Sequence, residues 1–474
     1  MMNATERDVL SSKARVASLW LLCLWLAACT RASPAAAPTN PPSPLRVEVP
    51  VTVEVTRVVT QPIVVQATSL PPMACAPPTL DATTVITVGA ILPLSLPGSM
   101  QAGFAMQTAL SLAVEEINSN GGIAGHPLAL ITYDSSDQAE RSRIATRRLI
   151  LDDCAAGIVG LYHSATAQAA ADVAHSFGTP LIVAAAADDG LTATEYPEIF
   201  RIAPSRSMLA EMPARWLSEV GDFNHDGQIS AGIISDSASQ SPFVDILLDS
   251  FAAASIHANH MTVDLPSTDF SSAVARIVTM ETLPDAIFIL LKGADALKLQ
   301  SQILAAGIGP QKSTLLVLQH TGLENDQFWQ GVPDGLGTVV ARIGPWQPTV
   351  TAKGQQFALA YGQYNGRWPE AYAFAAYDAV YLLADAITRA GSLQGPALVV
   401  ALEETDIELA SGRYTFPYGI THPPSADGVD PSMWHQWPDV QTLYLQYTQD
   451  RQPAHQAAII WPRRYRTVDA PLVR

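Results

Sequence analysis

The chain has 474 residues, 48% of them hydrophobic, which is enough for two globular cores and excludes a mini-protein or a wholly disordered chain. Its 27 Lys+Arg stand against 44 Asp+Glu, a formal net charge of -17, so no partnership with nucleic acid or an anionic surface is expected. Four cysteines are too few for a disulfide scaffold, and no uncharged apolar run reaches the roughly 20 residues of a spanning helix.

The N-terminus carries Arg7, Lys13 and Arg15 ahead of an apolar run over residues 16–28, the order of a secretory signal peptide. The run ends in Leu26-Ala27-Ala28-Cys29, which resembles a bacterial lipobox. Residues 1–28 are therefore expected to be a leader, and Cys29 the lipidated N-terminus of an extracytoplasmic protein. Residues 29–84 then turn to Pro, Thr, Ala and Val. Pro50 interrupts the one alternating stretch, so this segment reads as an extended stalk.

From Val85 onward, β-branched runs alternate with amphipathic stretches, the pattern of parallel sheets wound by crossover helices. Strands are predicted at 85–91, 128–133, 157–161 and 179–184, with helices around 139–153 and 167–177. A second series has strands near 229–235, 260–264, 286–291 and 314–319, with helices at 242–255 and 294–306. Another strand follows Gly335, then helices over 351–365 and 371–390. The predicted fold class is α/β: two doubly wound lobes joined by a multi-strand hinge, the first from 85–204 and 341–412, the second from 205–340 and 413–474. The aromatic and proline residues between Tyr414 and Trp461 are read as closing strands and loops of the second lobe.

Ligands of open parallel sheets bind at the carboxyl ends of the strands. That rule selects Ser95, Tyr162, Ser164, Ala165, Thr166, Ala186, Ala187 and Asp188 from the first lobe. From the second it selects Gln240, Lys292-Gly293, Gln319 and His320. Ser164-Ala165-Thr166 opens a helix, where free N–H groups and hydroxyls suit a carboxylate, although a serine there also serves as a plain helix cap.

Asn118-Ser-Asn-Gly121-Gly122-Ile123-Ala-Gly125-His-Pro-Leu128, followed by Tyr133-Asp134, resembles the hallmark of the type I periplasmic binding proteins, in the branched-chain amino acid branch. The resemblance runs from Ile86 to about Pro462, with Gly160 to Gln168, Phe200-Arg201 and Ala305-Ala306-Gly307 in family order. It implies a two-lobed solute receptor, usually the extracytoplasmic component of an ABC importer, with a permease as partner. By that resemblance Ser164 holds the ligand carboxylate. The family's Ala-Thr pair falls on Ala186-Ala187, where the threonine hydroxyl is missing and Asp188 follows. Its lobe-two acid falls near Gln319-His320, and its aromatic pocket positions near Gln240 and Lys292-Gly293. Amino acids, amides and small organic acids all remain open as ligands, and a receptor coupled to signalling is the alternative to import. A monomer is expected.

Asp222, Asn224, Asp226 and Gln228 place oxygens at alternate positions as a calcium loop does, but Ile233 stands where the final acid is required. A simple acidic turn is the competing reading, and calcium is the one cofactor considered. Cys75 and Cys154 precede strands expected to be neighbours, which allows a disulfide outside the cytoplasm. No Walker A loop, nucleophile elbow or zinc-protease motif occurs, so no covalent chemistry is expected.

Overall fold

The computed structural model describes Cys75 and residues 84–237, 242–320 and 328–468. Five short apolar runs build the first sheet: β1 (Ile86–Leu92), β2 (Leu128–Asp134), β3 (Gly157–Gly160), β4 (Leu181–Val183) and β5 (Ile199–Arg201), all parallel in the order β2-β1-β3-β4-β5. The helices joining them are α1 (Met100–Ser119), α2 (Ala139–Leu151), α3 (Ser164–Phe177) and the single turn α4 (Gly190–Ala193). Ile86, Val88, Ala90 and Leu92 of β1 point into the core beneath α1, whereas Ile91 points into the core beneath α2 and α3. A parallel strand between two helical layers must be apolar on both faces, which is why β1 reads as a continuous hydrophobic run.

The second lobe repeats this winding. It contains α5 (Arg206–Val220), β6 (Ser230–Asp236), α6 (Pro242–Ala253), β7 (His257–Val263), α7 (Ser271–Val278), β8 (Ala286–Ile289), α8 (Gly293–Ala305), β9 (Leu315–Leu318), α9 (Phe328–Gly331) and β10 (Val339–Ile343). Strands β7-β6-β8-β9-β10 are parallel and retrace the strand order of the first sheet.

The chain then returns to the first lobe as α10 (Ala352–Asn365), α11 (Ala371–Ala390) and α12 (Gly395–Glu403), whose apolar faces complete the core over α1. A two-stranded ribbon follows, β11 (Asp406–Glu408) with β12 (Arg413–Thr415). Finally β13 (Thr442–Gln446) adds antiparallel to β10, and β14 (Ala458–Trp461) adds antiparallel to β13, at the edge of the second sheet.

Two lobe boundaries differ from the sequence expectation. All of β10 belongs to the second sheet, so the chain leaves that lobe after Ile343 and not before Ala341. The final crossing comes after Trp437, not at residue 413. Tyr414, Phe416 and Trp437 are buried in the first-lobe core. The Arg201 N–H donates to the His435 carbonyl, and the Trp437 N–H donates to the Arg201 carbonyl, extending the first sheet at its β5 edge. Apolar burial and these ladder bonds hold residues 413–437 on the first lobe.

The Gly-Gly-Ile-Ala-Gly-His segment is a structural clamp. The Asn118 amide both donates to the Leu128 carbonyl and accepts from the Leu128 N–H, each at 2.8 Å, fixing the start of β2 against the end of α1. Gly122 has φ +76°, and a Cβ there would lie 2.0 Å from the His126 oxygen. Cys75 and Cys154 are joined in a disulfide, with Cα atoms 4.9 Å apart.

Candidate functional site

Three segments cross between the lobes, following β5, β10 and Trp437, and all three line one cavity of about 400 Å³. Its walls include Ile202–Pro204, Gly344–Pro345 and Val440–Gln441 from the crossings, Tyr162–Ser164 and Ala187 from the first lobe, Lys292 from the second, and Tyr372, Ala375 and Trp437. The crossings are tied to one another, since the Gly344 N–H donates to the Gln441 carbonyl at 2.8 Å. A second, more open cavity shares Tyr162, Lys292, Ile343 and Tyr372 and continues past Gln319, His320, Arg342, Arg367 and Glu370.

On the first lobe, the turn after β3 delivers Ser164 as the first residue of α3. The Ser164 Oγ accepts from the Asp188 N–H at 3.2 Å, which leaves the hydroxyl proton to be donated elsewhere. The opening N–H groups of α3 have no carbonyl within their own helix. Hydroxyl and N–H groups together suit an oxyanion. Above them, Tyr162 and Tyr372 meet edge to face with centroids 5.4 Å apart. Burial raises the pKa of both phenols, helped by Asp137 at Tyr162 and by Glu370 at both, so both remain neutral donors at neutral pH.

Other predicted contacts are placed differently. Ser95 lines neither cavity: its hydroxyl bonds to Asp134 and Ser136. Burial pushes the Asp134 carboxyl up, but hydrogen bonds from Ser95, Ser136 and Leu94 outweigh it and hold the group down at about 2. Thr166 is buried with its hydroxyl donated to the His163 carbonyl at 2.7 Å, and Ala165 faces solvent outside the cavity. Ala186 is a core residue while Ala187 reaches the cavity. The Asp188 carboxylate is taken by Arg206 at 2.9 Å and by the Gly190 N–H at 2.9 Å. On the second lobe, Gln319 accepts from the Tyr444 hydroxyl at 2.9 Å, and His320 Nδ1 donates to the Leu290 carbonyl at 3.0 Å. Gln240 and Cys29 lie outside the described residues.

Strand-end reasoning missed Tyr372, Trp437, Leu209, Val440 and Gln441, because they come from helix starts and crossings. His163 Nε2 faces both Asp137 at 3.1 Å and Ser99 Oγ at 3.0 Å, so one nitrogen serves both neighbours as a clasp between loops.

The Asp222 loop holds itself together. Asp222 accepts from the N–H groups of Asp226 and Gly227, Asn224 Oδ1 from Asp226, and Asp226 Oδ1 from Gln228, at 2.9–3.1 Å. Buried Asp285 anchors the loop from below through the Asn224 and Ser230 N–H groups. These oxygens accept from the loop's own N–H groups, and among the described residues no group of three or more His, Cys, Asp or Glu is placed to hold a metal.

The periplasmic binding protein family model matches residues 85–427, most of the chain. The chain belongs to the periplasmic binding protein family. It is 26% identical over 372 residues to the Leu/Ile/Val-binding protein homolog 7 of Brucella abortus, covering 75% of this chain and 89% of that one. LivJ, the branched-chain amino acid transporter substrate-binding protein of Streptococcus pneumoniae solved with isoleucine, shares the type I fold at TM-score 0.60 and 22% identity, over 79% of this chain and 98% of that one. A solute-binding protein of an ABC transporter from R. palustris, solved with benzoate, matches at TM-score 0.58 and 20% identity, over 79% and 95%.

Proposed function

We propose that this family member is an extracytoplasmic solute-binding protein that captures a small polar ligand between its lobes and hands it to an ABC importer. Cys29 is its lipid anchor and residues 29–84 its stalk. The observation that carries this reading is the placement of Ser164, a hydroxyl donor at the head of α3, inside a cavity walled by all three crossings. A ligand held there touches both lobes and the segments that must bend as they close, so its binding energy can favour the closed arrangement. An oxyanion of the ligand faces Ser164 and the α3 N–H groups, and its body lies along Tyr162, Tyr372 and Trp437.

Isoleucine and benzoate in the two solved relatives have a carboxylate in common and little else. The fold therefore leaves the body of the ligand open, and this chain's ligand class has to come from its own side chains.

Thermal unfolding of the mature chain against a panel of amino acids, amides and small carboxylates tests the reading, because a ligand bound only to the folded state raises the midpoint. Ser164→Ala is expected to weaken the best ligand about tenfold, the worth of a hydrogen bond to a charged group. An undiminished shift in that variant rejects the site. Co-purification with a permease supports import, while recovery of a sensor protein in its place moves the function to signalling.

A further inference from the structure

We propose that the lobe-two wall of this cleft recognises a second negative charge, and that Lys292 is the residue that reads it, so that the ligand is a small dicarboxylate with an apolar spacer. The inference rests on the solute-binding reading above and narrows its ligand class.

Lys292 stands at the carboxyl end of β8, immediately before α8, and its side chain is exposed. It lines the same cavity as Ser164, and it lines the outer cavity as well. It makes no ion pair with any described residue. The chain's net charge is -17, yet the described side chains of the outer cavity bring Lys292, Arg342 and Arg367 against one acid, Glu370. That acid is already engaged by Arg367 at 2.5 Å and by the Tyr361 hydroxyl at 2.9 Å. Arg342 is buried, with Nη2 donating to the Pro369 carbonyl at 2.8 Å, and its charge adds to the positive potential of the wall.

A cation lining a cleft with low-dielectric walls focuses its field into the cleft and draws an anion there. Apart from Ser164 and Lys292, the cavity is lined mostly by Ala, Ile, Leu, Val, Pro, Tyr and Trp, with His163, Ser411 and Gln441 the other polar side chains. Two anionic ends separated by hydrocarbon match a mostly apolar cavity that holds both an oxyanion donor and a cation. The cleft presents the Ser164 hydroxyl from the first lobe and the Lys292 cation from the second, and a dianion bound to both would be held by both lobes at once.

The test is isothermal titration of the mature chain with matched probes: adipate against hexanoate, and terephthalate against benzoate, which differ by one carboxylate. The expected result is a preference of about tenfold or more for the dianion of at least one pair, weakening with added salt. Lys292→Met is expected to erase that preference, and Lys292→Glu to exchange it for one favouring 6-aminohexanoate over adipate. Lys292 is exposed and bonded to no other described residue, so these variants fold as the parent does, checked by their unfolding midpoints. Equal affinity within both pairs overturns the proposal, as does a preference that survives Lys292→Met, or failure of all four probes to bind. Leucine included in the same titrations separates solute binding as such from the preference for a dianion. Heat with leucine but with none of the dianions leaves the solute-binding reading standing and removes only the dicarboxylate, while silence with every probe counts against both.

Discussion

The two walls of the cleft are built in opposite ways. On the first lobe, nearly every polar group near the cavity is fixed by another. Ser164 is held by the Asp188 main chain, Asp188 by the Gly190 N–H and by Arg206 reaching over from α5 of the second lobe, and Arg201 by four acceptors. On the second lobe, Gln319 and His320 have one side-chain bond apiece and Lys292 has none among the described residues. A fixed wall is paid for in folding and presents its donors already aimed, so it suits the part of a ligand that never varies. A loosely held wall can be altered without loss of fold, and that is where specificity can change.

The strongest test of the fixed wall is Arg201→Met. The guanidinium is fully buried and meets Gln436 Oε1, the Asp188 and Ser432 carbonyls and Thr192 Oγ1, with no carboxylate among the described residues in direct contact. Burial draws its pKa down to about 10, partly countered by Asp189 and Asp188, so it stays charged at neutral pH. Removing it strands several buried acceptors and loosens residues 432–436 from β5. The expected loss is about 3–5 kcal/mol in urea unfolding. A loss under about 1 kcal/mol would show that this wall is not fixed by its hydrogen bonds.

Most of the fold was legible because parallel strands between helical layers are apolar on both faces and their helices are amphipathic. The predicted helix at 371–390 coincides with α11, and the strand at 128–133 falls one residue short of β2. Helix α5 was missed because Pro213 sits in its interior, where proline normally ends a helix; burial of Met212, Trp216 and Leu217 overrides that local preference. The course of residues 413–437 was misread because aromatic residues announce burial without saying against which lobe. Of the site, strand ends gave Tyr162, Ser164, Ala187, Lys292, Gln319 and His320. Tyr372, Trp437 and Gln441 carry no local signature, since their nearness to Ser164 exists only after the chain has crossed between lobes three times.

The fixed wall should also have a distinct response to pH. Asp378 on α11 is fully buried and accepts from the Ala410 and Ser411 N–H groups and the Tyr414 hydroxyl, each at 2.8 Å, and Ser411 lines the cavity. Burial outweighs those bonds and raises its pKa to about 6. With the folded value above the unfolded one, the group's contribution to stability is complete below about pH 4 and is lost as pH rises through about 6, a decline of about 3 kcal/mol. Asp134 has the opposite sign: its folded value of about 2 means its contribution is present above pH 4 and disappears in stronger acid. Unfolding free energies between pH 4 and 7 should therefore fall with a slope that Asp378→Asn abolishes, even though the amide is itself destabilising beside two N–H donors. An unchanged slope would assign the decline to other groups.

The smallest effect is expected from the second wall, and it decides whether the contrast between the walls is real. Tyr444 is fully buried, and its hydroxyl donates to Gln319 Oε1. Gln319→Met leaves that hydroxyl without its acceptor and should cost about 1–2 kcal/mol. Tyr444→Phe added to it removes the stranded donor and should recover most of the loss, because deleting both partners of a buried bond is close to neutral. If Gln319 only positions Tyr444, the double variant binds the best ligand within about twofold of the parent, since less than half a kcal/mol would separate them. A tenfold loss of affinity with stability restored would instead place Gln319 on the ligand, and the second lobe would then grip as the first does.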